Sequence, residues 1–124
     1  MPILNMQIMQ GHSTAQKTQL LQNCSQAVVD SIAAPVASIR IVLEEVPTDH
    51  VIVAGEIGKP MALVLAHLIE GRTPEKKAAL IAALSRAIHG SLDISEQDVR
   101  VIVTDVPKTD MGVAGGITAQ AAGR

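Results

Sequence analysis

Pro2 is the residue of this sequence with the most unusual chemical potential, because it directly follows the initiator Met1. Methionine is commonly removed when the second residue is as small as proline, and its removal leaves Pro2 with a free secondary amine. Burial and nearby positive charge lower the pKa of an amine towards the working pH, where general-base catalysis is most effective. Many proteins begin with Met-Pro by chance, so this hypothesis of a proline base needs support from other residues.

Three arginines could hold an anion beside such a base. Arg40 and Arg100 each stand in an apolar stretch with the pattern of a β-strand, and an unpaired buried charge is costly. Each guanidinium must therefore reach the protein edge or an anion, either in an interface salt bridge or as a carboxylate clamp that uses the forked donors of arginine. Arg72 follows Gly71 between a predicted strand and a predicted helix, where the helix N-terminal amides also attract anions.

The sequence repeats itself with a shift of 60 residues and without a gap. The coinciding pairs include Gly11 and Gly71, Lys17 and Lys77, Ser25 and Ser85, and Arg40 and Arg100. The same shift places His12 on Arg72 and Ala62 on Pro2. A histidine at that position can be neutral or charged near pH 7, and Ala62 lies inside the chain without a free amine. The two halves, residues 1–60 and 61–124, are therefore chemically unequal.

Each half has the pattern of a strand, a helix, a second strand and a short hairpin. Ser13 with Gln16 forms a capping box, and Thr73 precedes a proline at the first helical position, so both signal helix starts. Apolar residues then recur at three- and four-residue spacing in both halves. The predicted strands are residues 3–9, 38–44, 63–69 and 98–104, and the glycine-containing hairpins are residues 51–57 and 111–117.

Strand, helix and strand in each half imply one parallel strand pair per half, joined by a right-handed crossover. The two pairs can join into a four-stranded sheet with both helices on one face. This is an α/β fold, a two-layer sandwich, and we expect one domain made of two repeats. The other face of the sheet, still rich in Val and Ile, needs a partner, so the topology predicts an oligomer.

The composition narrows the function classes. The chain is 48% hydrophobic, lacks Phe, Tyr and Trp, and has a formal charge of −2, so we expect no nucleic-acid partner. The most apolar stretch is interrupted by His67 and predicts no membrane span. The single Cys24 lies on the apolar helix face as a core residue and fits a reducing, cytoplasmic location. The histidines lack metal-ligand spacing, so we expect no metal site.

Four short segments stand in a characteristic order and spacing. They are Met1-Pro2-Ile3, Leu68-Ile69-Glu70-Gly71-Arg72-Thr73, Val99-Arg100-Val101-Ile102-Val103 and Asp105-Val106-Pro107-Lys108. Together they resemble the tautomerase superfamily, and within it the 4-oxalocrotonate tautomerase group, in which short β-α-β subunits assemble as hexamers. The resemblance covers both halves. It implies a fused member that forms a trimer with a hexamer-like ring.

The resemblance implies a cofactor-independent tautomerase for small enol or dienol keto acids of the 2-hydroxymuconate or phenylenolpyruvate type, from the breakdown of aromatic compounds. Pro2 would be its general base, because Ala62 holds the matching position of the second half. Arg72 and Arg100 of second halves, helped by Arg40, would bind the substrate carboxylates. His12 matches Arg72 in the first half and is a further candidate for substrate binding.

The resemblance also identifies residues of the pocket wall. Val51 and Met111 stand where the family usually carries an aromatic residue. Val53 and Val113 stand where hydrating relatives need an acidic residue, which disfavours hydration. Two other interpretations remain at this point. One is a non-catalytic or ligand-binding member of the same fold, favoured if Met1 is retained, and the other is an unrelated ferredoxin-like small-molecule sensor with the same element order.

Overall fold

Two copies of strand, helix and strand follow one another along the chain, each closed by a short hairpin. The computed structural model describes all 124 residues. The elements are β1 Ile3–Met9, α1 Thr14–Ile32, β2 Arg40–Val46, β3 Ile52–Val53, β4 Glu56–Ile57, β5 Ala62–Ile69, α2 Pro74–Leu92, β6 Val99–Val106, β7 Gly112–Val113 and β8 Ile117–Thr118. Single 3₁₀ turns precede β2, β3 and β6.

The four long strands form one sheet in the order β2-β1-β5-β6. Within each half the two strands are parallel, as predicted. The halves meet through β1 and β5, which run antiparallel with Ile3 opposite His67 and Ile8 opposite Ala62. The start of β1 therefore lies beside the end of β5, and the start of β5 lies beside the end of β1. We call these places the Pro2 end, where β1 begins and β5 ends, and the Ala62 end, where β5 begins and β1 ends.

Both helices cover one face of this sheet, which confirms the predicted two-layer fold. Alternate residues of β1 and β5 point into the core and meet the apolar stripe of each helix, because side chains alternate along a strand and recur every three to four residues on a helix. Cys24 is fully buried there, and burial raises the pKa of its thiol to about 12. The largest buried side chains are Leu4, Met6, Ile8, Leu20, Val28, Val64, Leu68, Leu80, Leu84 and Ile88.

The two helix starts have the local chemistry that the sequence predicts. The backbone N–H of Gln16 donates to Ser13 Oγ at 3.1 Å, and the Ser13 N–H donates back to the Gln16 side chain at 2.9 Å. In the second half, Lys76 N–H donates to Thr73 Oγ1 at 3.3 Å, with Pro74 at the first helical position. These caps satisfy N–H groups that have no partner inside the helix.

β2 begins and ends two residues later than predicted, β6 begins one residue later and ends two residues later, and β5 begins one residue earlier. The Ser38 hydroxyl donates to Pro35 O at 2.8 Å and closes a 3₁₀ turn, so residue 38 does not join the sheet. The bridge between β1 and β2 begins where Arg40 N–H donates to Pro2 O at 3.0 Å. Residue 98 lies in the equivalent turn before β6.

The face of the sheet opposite the helices is uncovered in a single chain. On its two edge strands, Val42 and Ile102 are 54% and 53% exposed. Leu63 and Leu65 of β5 lie on the same face and are half-buried. We call this surface the open face. Neither helix has the length and apolarity that crossing a membrane requires.

Candidate active site

Pro2 stands directly before β1, and its side chain is fully buried. The antiparallel pairing of β1 and β5 places it beside the end of β5, from which the chain turns through Gly71 towards α2. Gly71 has φ +118°, a backbone conformation that favours glycine. This turn brings Arg72 of the second half to the Pro2 end of the first half. The sheet thus joins, in one chain, two residues that the sequence separates by 70 positions.

A cleft of about 460 Å³ opens at the Pro2 end. Four cationic side chains and one acidic side chain line it, together with apolar groups. They are Arg72, Lys76, Lys108, Arg124 and Glu70, with Met1, Ile32, Ile69 and Gly71. Arg72 is half-buried, and its Nη1 donates to Ile69 O at 3.2 Å. The excess of positive charge suits a ligand with one or more carboxylates.

The first amine of the chain lies within this cationic environment. Partial burial lowers the pKa of the Met1 amine below its ordinary value of 8.0, and the positive charges of Arg72 and then Arg124 lower it further. Both effects disfavour the ammonium form. An amine at this place is therefore more readily neutral near pH 7, as a general base must be.

Met1, which precedes Pro2, is partly buried. It packs against a small apolar cluster formed by Ile69, Met111, Val113 and Ala119. While Met1 is attached, the nitrogen of Pro2 is part of a tertiary amide, which has neither a proton nor basicity. Removal of Met1 would both expose the amine and vacate the space beside the cluster.

Arg40 and Arg100 lie at the starts of β2 and β6, exposed on the open face. The guanidinium of Arg40 donates to Ala37 O at 2.9 Å, and that of Arg100 donates to Gln97 O at 2.7 Å. Neither forms a salt bridge within the chain. Both guanidinium groups thus use carbonyls of the preceding turn at the sheet edge, and each keeps further donors free.

The remaining predicted residues separate into two groups. Arg40 neighbours Pro2 through the backbone hydrogen bond described above, and Met111 lies in the cluster beside Met1. His12, Val51 and Arg100 lie at the Ala62 end, in clefts that contain Met61. Within one chain, the structure therefore brings Pro2, Arg72, Arg40 and Met111 together and holds the other three at the opposite end of the sheet.

Sequence reasoning missed three cations of this cleft, Lys76, Lys108 and Arg124. Lys108 follows the proline that ends β6, and the repeat gives it the neutral counterpart Thr48, a difference that could have drawn attention to it. Arg124 lies beyond the repeated segment, so no pattern marks it. The structure groups no three His, Cys, Asp or Glu side chains in a way that could hold a metal ion.

This arrangement is that of a double β-α-β fold with a cationic cleft around the first residue of the chain, and comparison with known proteins agrees with it. A family model described as "Tautomerase enzyme" matches residues 2–59 and again residues 63–120. The 2-hydroxymuconate tautomerase of Stutzerimonas stutzeri is 45% identical over 64 residues, covering 52% of this chain and 100% of that protein. That of Pseudomonas sp. (strain CF600) is 42% identical over 55 residues, covering 44% of this chain and 87% of its own length.

Solved structures agree over the whole chain. A wild-type fused 4-OT described as a symmetric trimer is 58% identical, with a TM-score of 0.96 over 98% of this chain and 99% of that one. A second fused 4-OT, described as an asymmetric trimer, is 43% identical with a TM-score of 0.93 over the same shares. The chain belongs to the tautomerase family, as a fused, tandem member. It is an isomerase of the keto-enol tautomerase type, which confirms the prediction from the sequence.

Proposed function

We propose that this tautomerase uses the amine of Pro2, freed by removal of Met1, as the general base on small enol or dienol keto acids of the 2-hydroxymuconate or phenylenolpyruvate type. One observation carries the proposal: the amine of Met1, the residue that precedes Pro2, lies where burial, Arg72 and Arg124 lower its pKa, and the Pro2 amine would enter the same surroundings. The substrate class is supported by the 2-hydroxymuconate tautomerases that match about half of this chain.

The reaction needs one base and a place for negative charge. The neutral Pro2 amine accepts the proton of the enol hydroxyl, and the electron pair of that O–H bond forms the carbonyl while the double bonds shift. The protonated amine then returns a proton to a carbon of the substrate, so that atoms and electrons balance without a cofactor. A positioned general base typically contributes about 10²–10⁴ in rate.

The cations of the cleft would hold the carboxylates of the substrate. Arg72 presents forked donors that match a carboxylate, and it reaches the Pro2 end within the same chain. Arg40 flanks Pro2 on the open face. Arg100 starts β6 opposite Leu63, at the Ala62 end. It would therefore act on the Pro2 of a neighbouring subunit.

We propose a homotrimer, with at most one proline-based site per chain. Its support is the uncovered open face with Val42 and Ile102 and the trimers formed by the fused relatives. The proposed setting is the cytoplasm, in the breakdown of aromatic compounds, with a small carboxylate substrate and no nucleic-acid or membrane partner. His12 lies at the Ala62 end, as Arg100 does, so it would reach a substrate only at the Pro2 of a neighbouring subunit.

The test combines intact mass with kinetics. Mass spectrometry establishes whether Met1 is absent, and absorbance follows the ketonisation of 2-hydroxymuconate and phenylenolpyruvate. We expect Pro2→Ala to lower the rate by about 10²–10⁴, and Pro47→Ala, a change at the Ala62 end, to leave it within a factor of two or so. Equal rates for Pro2→Ala and the unchanged protein, or full activity with Met1 retained, would overturn the proposal.

A further inference from the structure

The cleft at the Ala62 end is larger than the cleft at the Pro2 end. It has a volume of about 630 Å³, within the range of small-molecule sites. Its apolar wall consists of the β3–β4 hairpin on one side and the beginning of β5 on the other, including Val51, Met61 and Leu63. The shift of 60 residues relates this place to the surroundings of Pro2, but Ala62 takes the place of the proline.

The two ends differ because their hairpins are held differently. At the Pro2 end, Ala119 N–H donates to Met111 O at 2.8 Å and Gln120 N–H donates to Lys108 O at 3.0 Å. These bonds keep the hairpin packed, with Met111 and Val113 only 6% and 9% exposed. At the Ala62 end the counterpart of Gln120 is Pro60, which has no N–H to donate.

The first hairpin is consequently less tightly packed. There the backbone N–H of Gly58 donates to Val51 O at 2.9 Å, one residue earlier than in the second half. Ile52 is 63% exposed, and Val51 and Val53 are half-buried. A cleft therefore remains between this hairpin and β5. At the Pro2 end, the second hairpin instead packs in an apolar cluster against Met1.

The charged groups of this cleft favour an anion. Lys59 and Arg100 line it, with His50 as a third basic group and Asp98 as the one acid. Lys59 has no hydrogen-bond or salt-bridge partner in the chain. Arg100 commits Nη1 to Gln97 O and Val99 O and retains its other donors. Two permanent cations beside one carboxylate leave the site net positive, against an apolar wall.

We infer that the Ala62 end is a second, non-catalytic site that binds a small carboxylic acid with an apolar or unsaturated body. Because Ala62 is an internal residue, this site has no amine base, so a bound acid is held without being isomerised. The ligand class follows from Lys59, Arg100 and the apolar wall. Arg100 is also proposed to act on the Pro2 of a neighbouring subunit, so Lys59 is the cation of this cleft that is independent of that site.

The methionines of the chain allow the two ends to be observed separately. Met61 lines the cleft at the Ala62 end, and Met111 lies at the Pro2 end. The experiment labels the methionine methyl groups of the full chain with ¹³C and titrates the protein with trans-cinnamate. We expect the Met61 signal to shift in a saturable way, with a dissociation constant different from the one that Met111 reports.

Lys59→Glu should weaken the binding reported by Met61 about tenfold or more, while the rate of ketonisation stays unchanged. Arg86→Glu changes the net charge equally on the exposed surface of α2 and should leave both unchanged. A thermal melt checks that both variants fold. The inference is overturned if the Met61 signal does not move on addition of trans-cinnamate. It is also overturned if Lys59→Glu and Arg86→Glu weaken binding equally, or if Lys59→Glu abolishes ketonisation.

Discussion

Replacing Arg72 separates two effects that its guanidinium has at the Pro2 end. It is the proposed donor for a substrate carboxylate, and its charge lowers the pKa of the Met1 amine, next to the proposed base Pro2. Arg72→Ala should therefore lower kcat/KM and also raise the pKa of the base. Since the pH profile of kcat/KM reports the free enzyme, its ascending limb should move to higher pH.

The size of the loss follows from the contact that is removed. A hydrogen bond to a charged group contributes about 1.5–3 kcal/mol, and each factor of ten in rate corresponds to about 1.4 kcal/mol. The expected fall in kcat/KM is thus about 10- to 150-fold at a pH above the limb. Arg72 already donates to Ile69 O, so the substrate would use its remaining donors.

The assay is ketonisation followed by absorbance over a range of pH, with Arg86→Ala as the matched control on the exposed surface of α2. Arg72→Lys keeps the charge but not the planar fork. It should retain the position of the limb while losing part of kcat/KM. An unmoved limb in Arg72→Ala, or an equal loss in Arg86→Ala, would refute this account of the site.

Arg124→Ala should shift the limb in the same direction but less, because Arg124 is exposed and lowers the pKa of the first amine less than Arg72 does; an unchanged limb would remove Arg124 from the site. In a form that keeps Met1, folding lowers the pKa of its amine below 8.0. Between the pKa of this amine in the folded protein and its pKa in the unfolded protein, the unfolded state therefore binds more protons. The free energy of unfolding, measured in urea, should therefore rise with pH through that window, and acetylation of the amine should flatten the rise. Ile102→Asp on the open face should dissociate the oligomer in sedimentation velocity, whereas Ile81→Asp on the outer surface of α2 should not.

Much of the fold could be predicted because its signals are local. The repeat, the caps at Ser13 and Thr73 and the spacing of apolar residues each act within a few positions. The boundaries before β2 were wrong, because Ser38 closes a 3₁₀ turn through its hydroxyl. A serine side chain can form a hydrogen bond with the nearby backbone and so favour a turn over a strand. The spacing of apolar residues does not indicate whether that bond forms.

The site could be predicted only in part, because its composition depends on which strands pair across the halves. Sequence reasoning identified Pro2 and Arg72, but the antiparallel register of β1 and β5 decides that both lie at one end of a single chain. The same register places Arg100 away from Pro2. Arg124 reaches the cleft through the tail that follows β8, a tertiary contact outside the repeated pattern.

The antiparallel junction of β1 and β5 has a consequence for the order in which the two copies are joined. A chain has one beginning, so only the end of the sheet where that beginning lies can present an amine. A circular permutant that opens the chain before Met61 and joins Arg124 to Met1 would move that beginning to the Ala62 end. With Ala62→Pro, it would pair a new terminal proline with His12 in place of Arg72. Under the proposed mechanism, the order of fusion would thus decide which side chain, Arg72 or His12, lies beside the terminal proline.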